Sequence, residues 1–184
     1  PFSIMLSIGP DASVIHRMQR DGRSASGHLA YLAPISEELD EPRLVPITAR
    51  VDGRTIADAQ PGLIVVANLR HYGFGVNPAA HADAHDGLLD TVFIPARRVA
   101  ALLKAAACAR LGRLNYLPEV VSQRGRVAEI DAPGGLAQAD GEPLALQTPM
   151  RITTDAGVLR VLRPVTGAKH PRARNVGPTH PLRA

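Results

Sequence analysis

RLVPITARVDGRTIADA, residues 43 to 59, decides how the fold is read. The pattern changes here from helical to β, and the stretch reads as two strands around Asp52-Gly53. That dipeptide suits a type I′ turn, in which both central residues need positive φ, so a β-hairpin is expected.

Upstream, FSIMLSI (2–8) reads as a buried strand. DASVIHRMQRDG (11–22) reads as a helix, with Asp11 as N-cap and Val14, Ile15 and Met18 on one face. SGHLAYLAPISEEL (26–39) is a second helical stretch, weakened by Pro34. Downstream, GLIVVANLRHYG (62–73) is a β-rich run after a turn at Pro61-Gly62, and 74–87 reads as loop. LLDTVFIPA (88–96) is another strand. ARRVAALLKAAACARLG (96–112) is the clearest helix, with Val99, Leu102, Leu103, Ala106 and Ala107 at helical spacing. EVVSQRGRVAEIDA (119–132) reads as strand, turn at Arg124-Gly125, strand. LAQADGEPLALQ (136–147) and MRITTDAGVLRVLRP (150–164) add short strands. The order favours an α+β domain, mainly antiparallel β, built as a sandwich or barrel with a few helices.

Composition bounds the class. A chain of 184 residues with 45% apolar and 21% charged residues is one globular domain or one large lobe. With three Phe, three Tyr and no Trp, its core must rest on Val, Leu, Ile and Ala. The single cysteine, Cys108, excludes an internal disulfide and sits in an apolar helical pattern, so a buried, inert thiol is expected. No apolar run is long enough for a transmembrane helix, and no signal peptide is visible. The start PFSIMLSIG lacks Met and is already strand-like, as in a segment of a longer protein. Residues 1–164 read as the domain and 165–184 as a basic, Pro-containing, flexible tail. Basic residues there without aromatic interleaving do not point to nucleic acid.

HADAHDGLLD, residues 81 to 90, is the densest run of potential ligands. His81, Asp83 and His85 are spaced by two and would share one face of an extended segment, as a three-ligand zinc site needs. Alternatively, Asp83, Asp86 and the backbone around Leu88 offer oxygens, which Mg²⁺ or Ca²⁺ prefers. A polar surface loop closed by an Asp-Gly turn explains the spacing alone. QADGEP (138–143) places Asp140 and Glu142 at a strand edge, where Glu142 could serve as a general base; a plain hairpin turn explains the triplet equally. No Gly-x-Ser-x-Gly elbow, Walker loop or dinucleotide fingerprint occurs, and YGFGVNP (72–78) lacks the Lys-Ser/Thr of a phosphate-binding loop.

Taken in order, SIGPDASV, SGHLAYL, VDG, VVANLRHYGFGVNPAAHADAHDGLLDTVFI, a helix, AQADGEPL and LRVLRP resemble the second lobe of the diacylglycerol kinase and sphingosine kinase type of lipid kinases, the bacterial soluble members above all. The resemblance runs from about Phe2 to Pro164. It implies a β-sandwich-like lobe that completes a cleft and carries the lipid site. The nucleotide lobe, with its Gly-Gly-Asp-Gly-Thr motif, is a separate partner that this sequence does not contain. By that resemblance Glu142 is the general base toward a lipid hydroxyl and Asp140 helps to position the cleft. Asp83, Asp86 and the Leu88 carbonyl would hold Mg²⁺, His81 and His85 are bystanders, and ATP is a co-substrate bound mainly by the other lobe. Pro10 and Phe74 depart from the family pattern.

The resulting expectation is the lipid-side lobe of an ATP- and Mg²⁺-dependent, diacylglycerol-like lipid kinase. It would be inactive alone, and cytoplasmic or peripheral at the inner membrane. An exposed sheet edge could pair two copies into a homodimer. The alternatives are a non-catalytic β-rich module binding lipid or protein, and a small zinc hydrolase using His81, Asp83 and His85.

Overall fold

The computed structural model describes residues 1–22, 31–70, 72–145 and 148–160. The 165–184 tail, His71 and the first five residues of the SGHLAYL segment lie outside them. The described elements are strands β1 (Met5–Ile8), β2 (Pro46–Val51), β3 (Arg54–Ala67), β4 (Leu89–Pro95), β5 (Val121–Gly125), β6 (Val127–Asp131), β7 (Ala137–Ala139), β8 (Glu142–Leu144) and β9 (Met150–Thr153), with helices α1 (Pro10–Arg20), α2 (Leu32–Asp40) and α3 (Val99–Arg110). All pairings described are antiparallel. The expected α+β, β-sandwich-like class is what the chain forms.

The hairpin at the centre has the expected turn: φ is 47° at Asp52 and 81° at Gly53. The Asp52 carboxylate accepts the backbone N–H groups of Arg126 and Val127, which ties the hairpin tip to the chain 74 and 75 residues on.

Past the hairpin the structure departs from expectation. Pro61-Gly62 is no turn, because β3 runs through it for 14 residues. Its first part pairs with β2 and its second with β1 and β4, so one strand belongs to two sheets. Just before the partners change, the β2–β3 register is irregular around Ala59, which takes φ 46° and gives its N–H to the Thr48 hydroxyl at 3.1 Å. A proline is tolerated where ladder partners change, since the N–H it lacks is not needed there. One sheet then has the order β8-β7-β1-β3-β4-β5, and the other is β3-β2-β6-β9.

Arg124-Gly125 is likewise not a hairpin turn. β5 pairs with β4 and β6 with β2, so the chain crosses between sheets there. A Cβ at Gly125 would lie 2.5 Å from Val51 Cγ1 and 2.6 Å from an Asp52 oxygen, so only glycine fits.

Alternation along β3 builds two cores. Ile64 and Val66 face Leu6, Ile8, Ile47, Phe93 and Ile130 between the sheets. Val65 and Ala67 face the other way, toward Val92, Ile94, Leu114 and α3. The run LIVVA is continuously apolar because this sheet is covered on both faces. Each fully buried large side chain contributes about 1.5–3 kcal/mol.

The helices are displaced slightly from expectation. Gly9, not Asp11, is the N-cap of α1, and Pro10 takes the first helical position, where its missing N–H costs nothing. Val14 and Met18 are buried and Ile15 half-buried. Pro34 falls in the first turn of α2 and does not break it, because first-turn N–H groups have no partner within the helix. In α3 the inward residues are Leu102, Ala105 and Ala109, with Cys108 half-buried beside them; Leu103, Ala106 and Ala107 point outward. This helix is apolar nearly all round, so periodicity could not choose its buried side.

Candidate functional site

The candidate residues gather at one end of the larger sheet, where β1, β4 and β8 begin and β3, β5 and β7 end. β7 and β8 form a two-residue hairpin, with φ 51° at Asp140 and 88° at Gly141. The Asp-Gly-Glu triplet is therefore a tight turn, and Glu142 is its first residue on the exposed edge strand β8.

Asp140 is exposed, and its carboxylate turns back onto the start of the chain. Its carboxylate accepts the Ser3 N–H at 2.7 Å, the Ser3 hydroxyl at 2.9 Å, and the N–H groups of Ile4 and Met5 at 2.8 and 2.9 Å. Burial pushes its pKa up, but the bonds from the Ser3, Met5 and Ile4 amides outweigh that and hold it below the usual carboxylate range. With both oxygens occupied, Asp140 positions the turn and is a poor proton acceptor. Asn68 grips the same segment from the other side. Its N–H binds the Ile4 carbonyl at 2.8 Å and its amide donates to the Ser3 carbonyl at 2.9 Å. Residues 3–5 thus link the start of the 68–90 block to the 140–142 turn.

A second, buried layer lies beneath the turn, and sequence reasoning missed it. Gln138 accepts the Gly141 N–H at 3.0 Å and donates to the Ser7 hydroxyl at 2.8 Å and to Asp11 at 3.4 Å. Ser7 also donates to Asp11. The Tyr72 hydroxyl donates to the same Asp11 oxygen at 2.5 Å. Burial, reinforced by Asp11, raises the Tyr72 pKa well above its ordinary value. The other Asp11 oxygen is buried and has no hydrogen-bond partner among the described residues. The network fixes the 140–142 turn to α1 and to the chain just before Gly73. Its only sequence signal was polarity within apolar strands, at Ser7 and Gln138.

The 81–90 loop lies farther along the same sheet end. Asp83 and Asp86 each accept a backbone N–H two residues on, from His85 at 3.0 Å and Leu88 at 2.9 Å. Asp83 also pairs with the His85 ring at 2.9 Å, and the His85 backbone and ring bonds lower its pKa. The missed residue is Arg124 on β5. It contacts Asp90 at 3.2 Å, the His81 carbonyl at 2.7 Å and Asp86 at 3.5 Å. Hydrogen bonding to Asp90 raises the pKa of the guanidinium further, aided by the charges of Asp90, Asp86 and Asp83.

Among the described residues no three His, Cys, Asp or Glu side chains converge on one point, so His81, Asp83 and His85 do not form the zinc triad their spacing allowed. The extended segment that would have aligned them is a run of turns instead. Two carboxylates preorganised by their own backbone suit a hard cation in kind, although the Arg124 guanidinium already lies 3.5 Å from Asp86. Such an ion would not be close to Glu142. β8 and β4 are four strands apart, about 19 Å at ordinary spacing.

Comparison with known proteins agrees with this architecture. Residues 4–163 match the family described as the YegS C-terminal NAD kinase beta sandwich-like domain. The diacylglycerol kinases of Mycobacterium tuberculosis strains CDC 1551 / Oshkosh and ATCC 25618 / H37Rv are each 30% identical over 166 residues, covering 90% of this chain and 53% of theirs. The chain thus spans about half the length of the curated relatives it matches. The crystal structure of a diacylglycerol kinase from Bacillus anthracis str. Sterne superposes with TM-score 0.55 at 18% identity, over 85% of this chain and 50% of that one. Another structure from that organism gives TM-score 0.61 at 14% identity, over 85% and 50% of the two chains. At those identities the superpositions speak to the fold alone. By its own sequence match over residues 4–163, the chain belongs to the YegS C-terminal NAD kinase beta sandwich-like domain family of diacylglycerol kinase-like proteins.

Proposed function

We propose that this chain is the lipid-side lobe of a kinase that transfers the γ-phosphoryl group of ATP to the hydroxyl of a diacylglycerol-like lipid. The observation that supports it is the Asp140–Gly141–Glu142 turn. It is anchored at its first residue by four donors, is braced from below by Gln138, and presents Glu142 to solvent. In the reaction the lipid oxygen forms the new P–O bond, the bond to ADP breaks, and Glu142 takes the hydroxyl proton. Asp140 keeps the turn in place and stays ionised. Mg²⁺ held by Asp83, Asp86 and the Leu88 carbonyl would supply positive charge that sets the 81–90 loop. Phosphoryl transfer depends on positioning and charge neutralisation, so a lobe that supplies one base and part of a cleft needs a nucleotide lobe beside it.

The test is transfer of labelled phosphate from ATP to dioleoylglycerol. The 184-residue chain alone should show no turnover, and robust activity from it would overturn the two-lobe reading. In the full-length protein with its nucleotide lobe, Glu142→Gln should lower kcat by about 10²–10⁴-fold with little change in KM for ATP. A near-normal kcat removes Glu142 from the base role.

A further inference from the structure

The outer face of α3 and the turn after it expose large apolar side chains close together in sequence. Leu103 is 53% exposed, Leu111 at the helix end 70%, and Tyr116 in the following turn 81%. At 100° per residue, Leu103, Ala107, Arg110 and Leu111 fall in one sector, opposite the buried Ala105 and Ala109. Nothing within the described domain covers this stripe.

Its charge is mainly positive, with Glu119, the partner of Lys104, at its border. From Thr91 to Pro118 the sequence holds five basic residues and no acidic one. These are Arg97, Arg98, Lys104, Arg110 and Arg113, all exposed. Lys104 pairs with Glu119 at 2.9 Å and Arg110 donates to the Gly75 carbonyl; among the described residues Arg97, Arg98 and Arg113 enter no ion pair. Two of these cations are misplaced for helix stability. Arg98 is the N-cap of α3 with no side-chain capping bond, Arg97 precedes it, and the first turn carries no acid. Cations at the positive end of a helix dipole oppose its formation. An external plane of negative charge would reverse that penalty.

We propose that this face is a docking surface for an anionic phospholipid bilayer. Leu103, Leu111 and Tyr116 enter the boundary between headgroups and acyl chains, and the five cations lie among the headgroups. Tyrosine is suited to that boundary, with an apolar ring and a polar tip. Charge complementarity selects lipid over a second copy of the chain, since two such faces would repel. The inference rests on exposed charge and apolar area and does not depend on phosphoryl transfer.

The chain has no tryptophan, so Tyr116→Trp gives a single reporter on this face and none elsewhere. With phosphatidylcholine vesicles containing one-third phosphatidylglycerol, its emission should shift to the blue and be quenched by brominated acyl chains. Binding to pure phosphatidylcholine should be weaker by about tenfold or more, and salt should weaken the anionic case. Adding Leu103→Ser and Leu111→Ser, both at exposed positions, should abolish the blue shift while circular dichroism shows an intact fold. No binding overturns the proposal. So does binding with unchanged emission, which would assign the contact to another basic segment. Emission already blue-shifted before lipid is added overturns it as well: sensitivity to dilution would mean a second copy, and insensitivity would mean another part of this chain.

Discussion

Asp140 holds Ser3 twice, through its backbone N–H at 2.7 Å and its hydroxyl at 2.9 Å, across 137 residues of sequence. The turn carrying Glu142 and the start of β1 are therefore one structural unit. Asp140→Asn keeps the shape but replaces half the acceptor capacity with donors aimed at donors. Charge-assisted bonds of this kind, partly screened because Asp140 is exposed, predict a loss of about 1–2 kcal/mol in chemical denaturation. The pH dependence has a definite sign. The folded-state pKa is lowered, so the stabilisation is complete above the ordinary value of about 3.9 and is lost as pH falls through the lower folded value. The wild type should lose stability in that acid window, and Asp140→Asn should lose less. Equal acid profiles would show that folding does not lower the Asp140 pKa, and so would contradict the four hydrogen bonds to its ionised form.

Tyr72 should be silent in an alkaline titration followed by phenolate absorbance. Its pKa is raised by burial and by Asp11, whereas Tyr116 is exposed. The unfolded chain ionises near pH ~10, so stability contributed by the neutral phenol falls as pH rises past that value. The Tyr72 signal should appear only when the chain unfolds, and Tyr72→Phe should delete that late step at a cost of about 1 kcal/mol. A Tyr72 signal at ordinary pH in the native protein would contradict the Asp11 contact.

At Gly62, β3 leaves no room for a side chain against β4. A Cβ there would sit 2.4 Å from the Ile94 carbonyl and 3.0 Å from the Phe93 ring. Gly62→Ala must push two strands apart, with an expected cost of at least ~2 kcal/mol and a Tm lower by about 4–8 °C. Gly73→Ala, where a Cβ meets nothing within 4 Å, is the control and should be close to neutral.

The 81–90 loop separates oxygen from nitrogen ligation. If Asp83, Asp86 and the Leu88 carbonyl hold Mg²⁺, the ion at ten times its Kd should raise Tm by about 3–6 °C. Asp83→Asn and Asp86→Asn should erase that rise, while His81→Ala and His85→Ala keep it. A rise that depends on the histidines, or stoichiometric zinc lost on His81→Ala, would reverse the assignment. Arg124→Ala should loosen the loop modestly, by about 1 kcal/mol, since its ion pairs are partly exposed.

Features set by local chemistry were legible in the sequence. Asp52-Gly53 and Asp140-Gly141 each demand two positive φ values in succession, and each is a tight hairpin. Pro61-Gly62 obeys the same local grammar yet lies inside a strand, because the choice was made by partners: Pro46 opposite Pro61 and Pro95 opposite Gly62. The helix face of α3 was illegible for a similar reason, since only the neighbouring sheet distinguishes Leu102 from Leu103. At the candidate site, the motifs were visible but their supports were not. Tyr72 reaches Asp11 across 61 residues and Gln138 reaches Ser7 across 131, separations at which no spacing rule operates.

The sharing of β3 by two sheets has a mechanical consequence. A sandwich of two independent sheets can slide or part at its interface, but here the interface is crossed by a continuous backbone, and Asp52 fastens the far end of that backbone to β6. Parting of the halves would strain β3 itself and the ladders on either side of it. Opening and closing of a cleft at the Glu142 end is therefore expected as motion of the whole domain against whatever faces it, with the two sheets moving together.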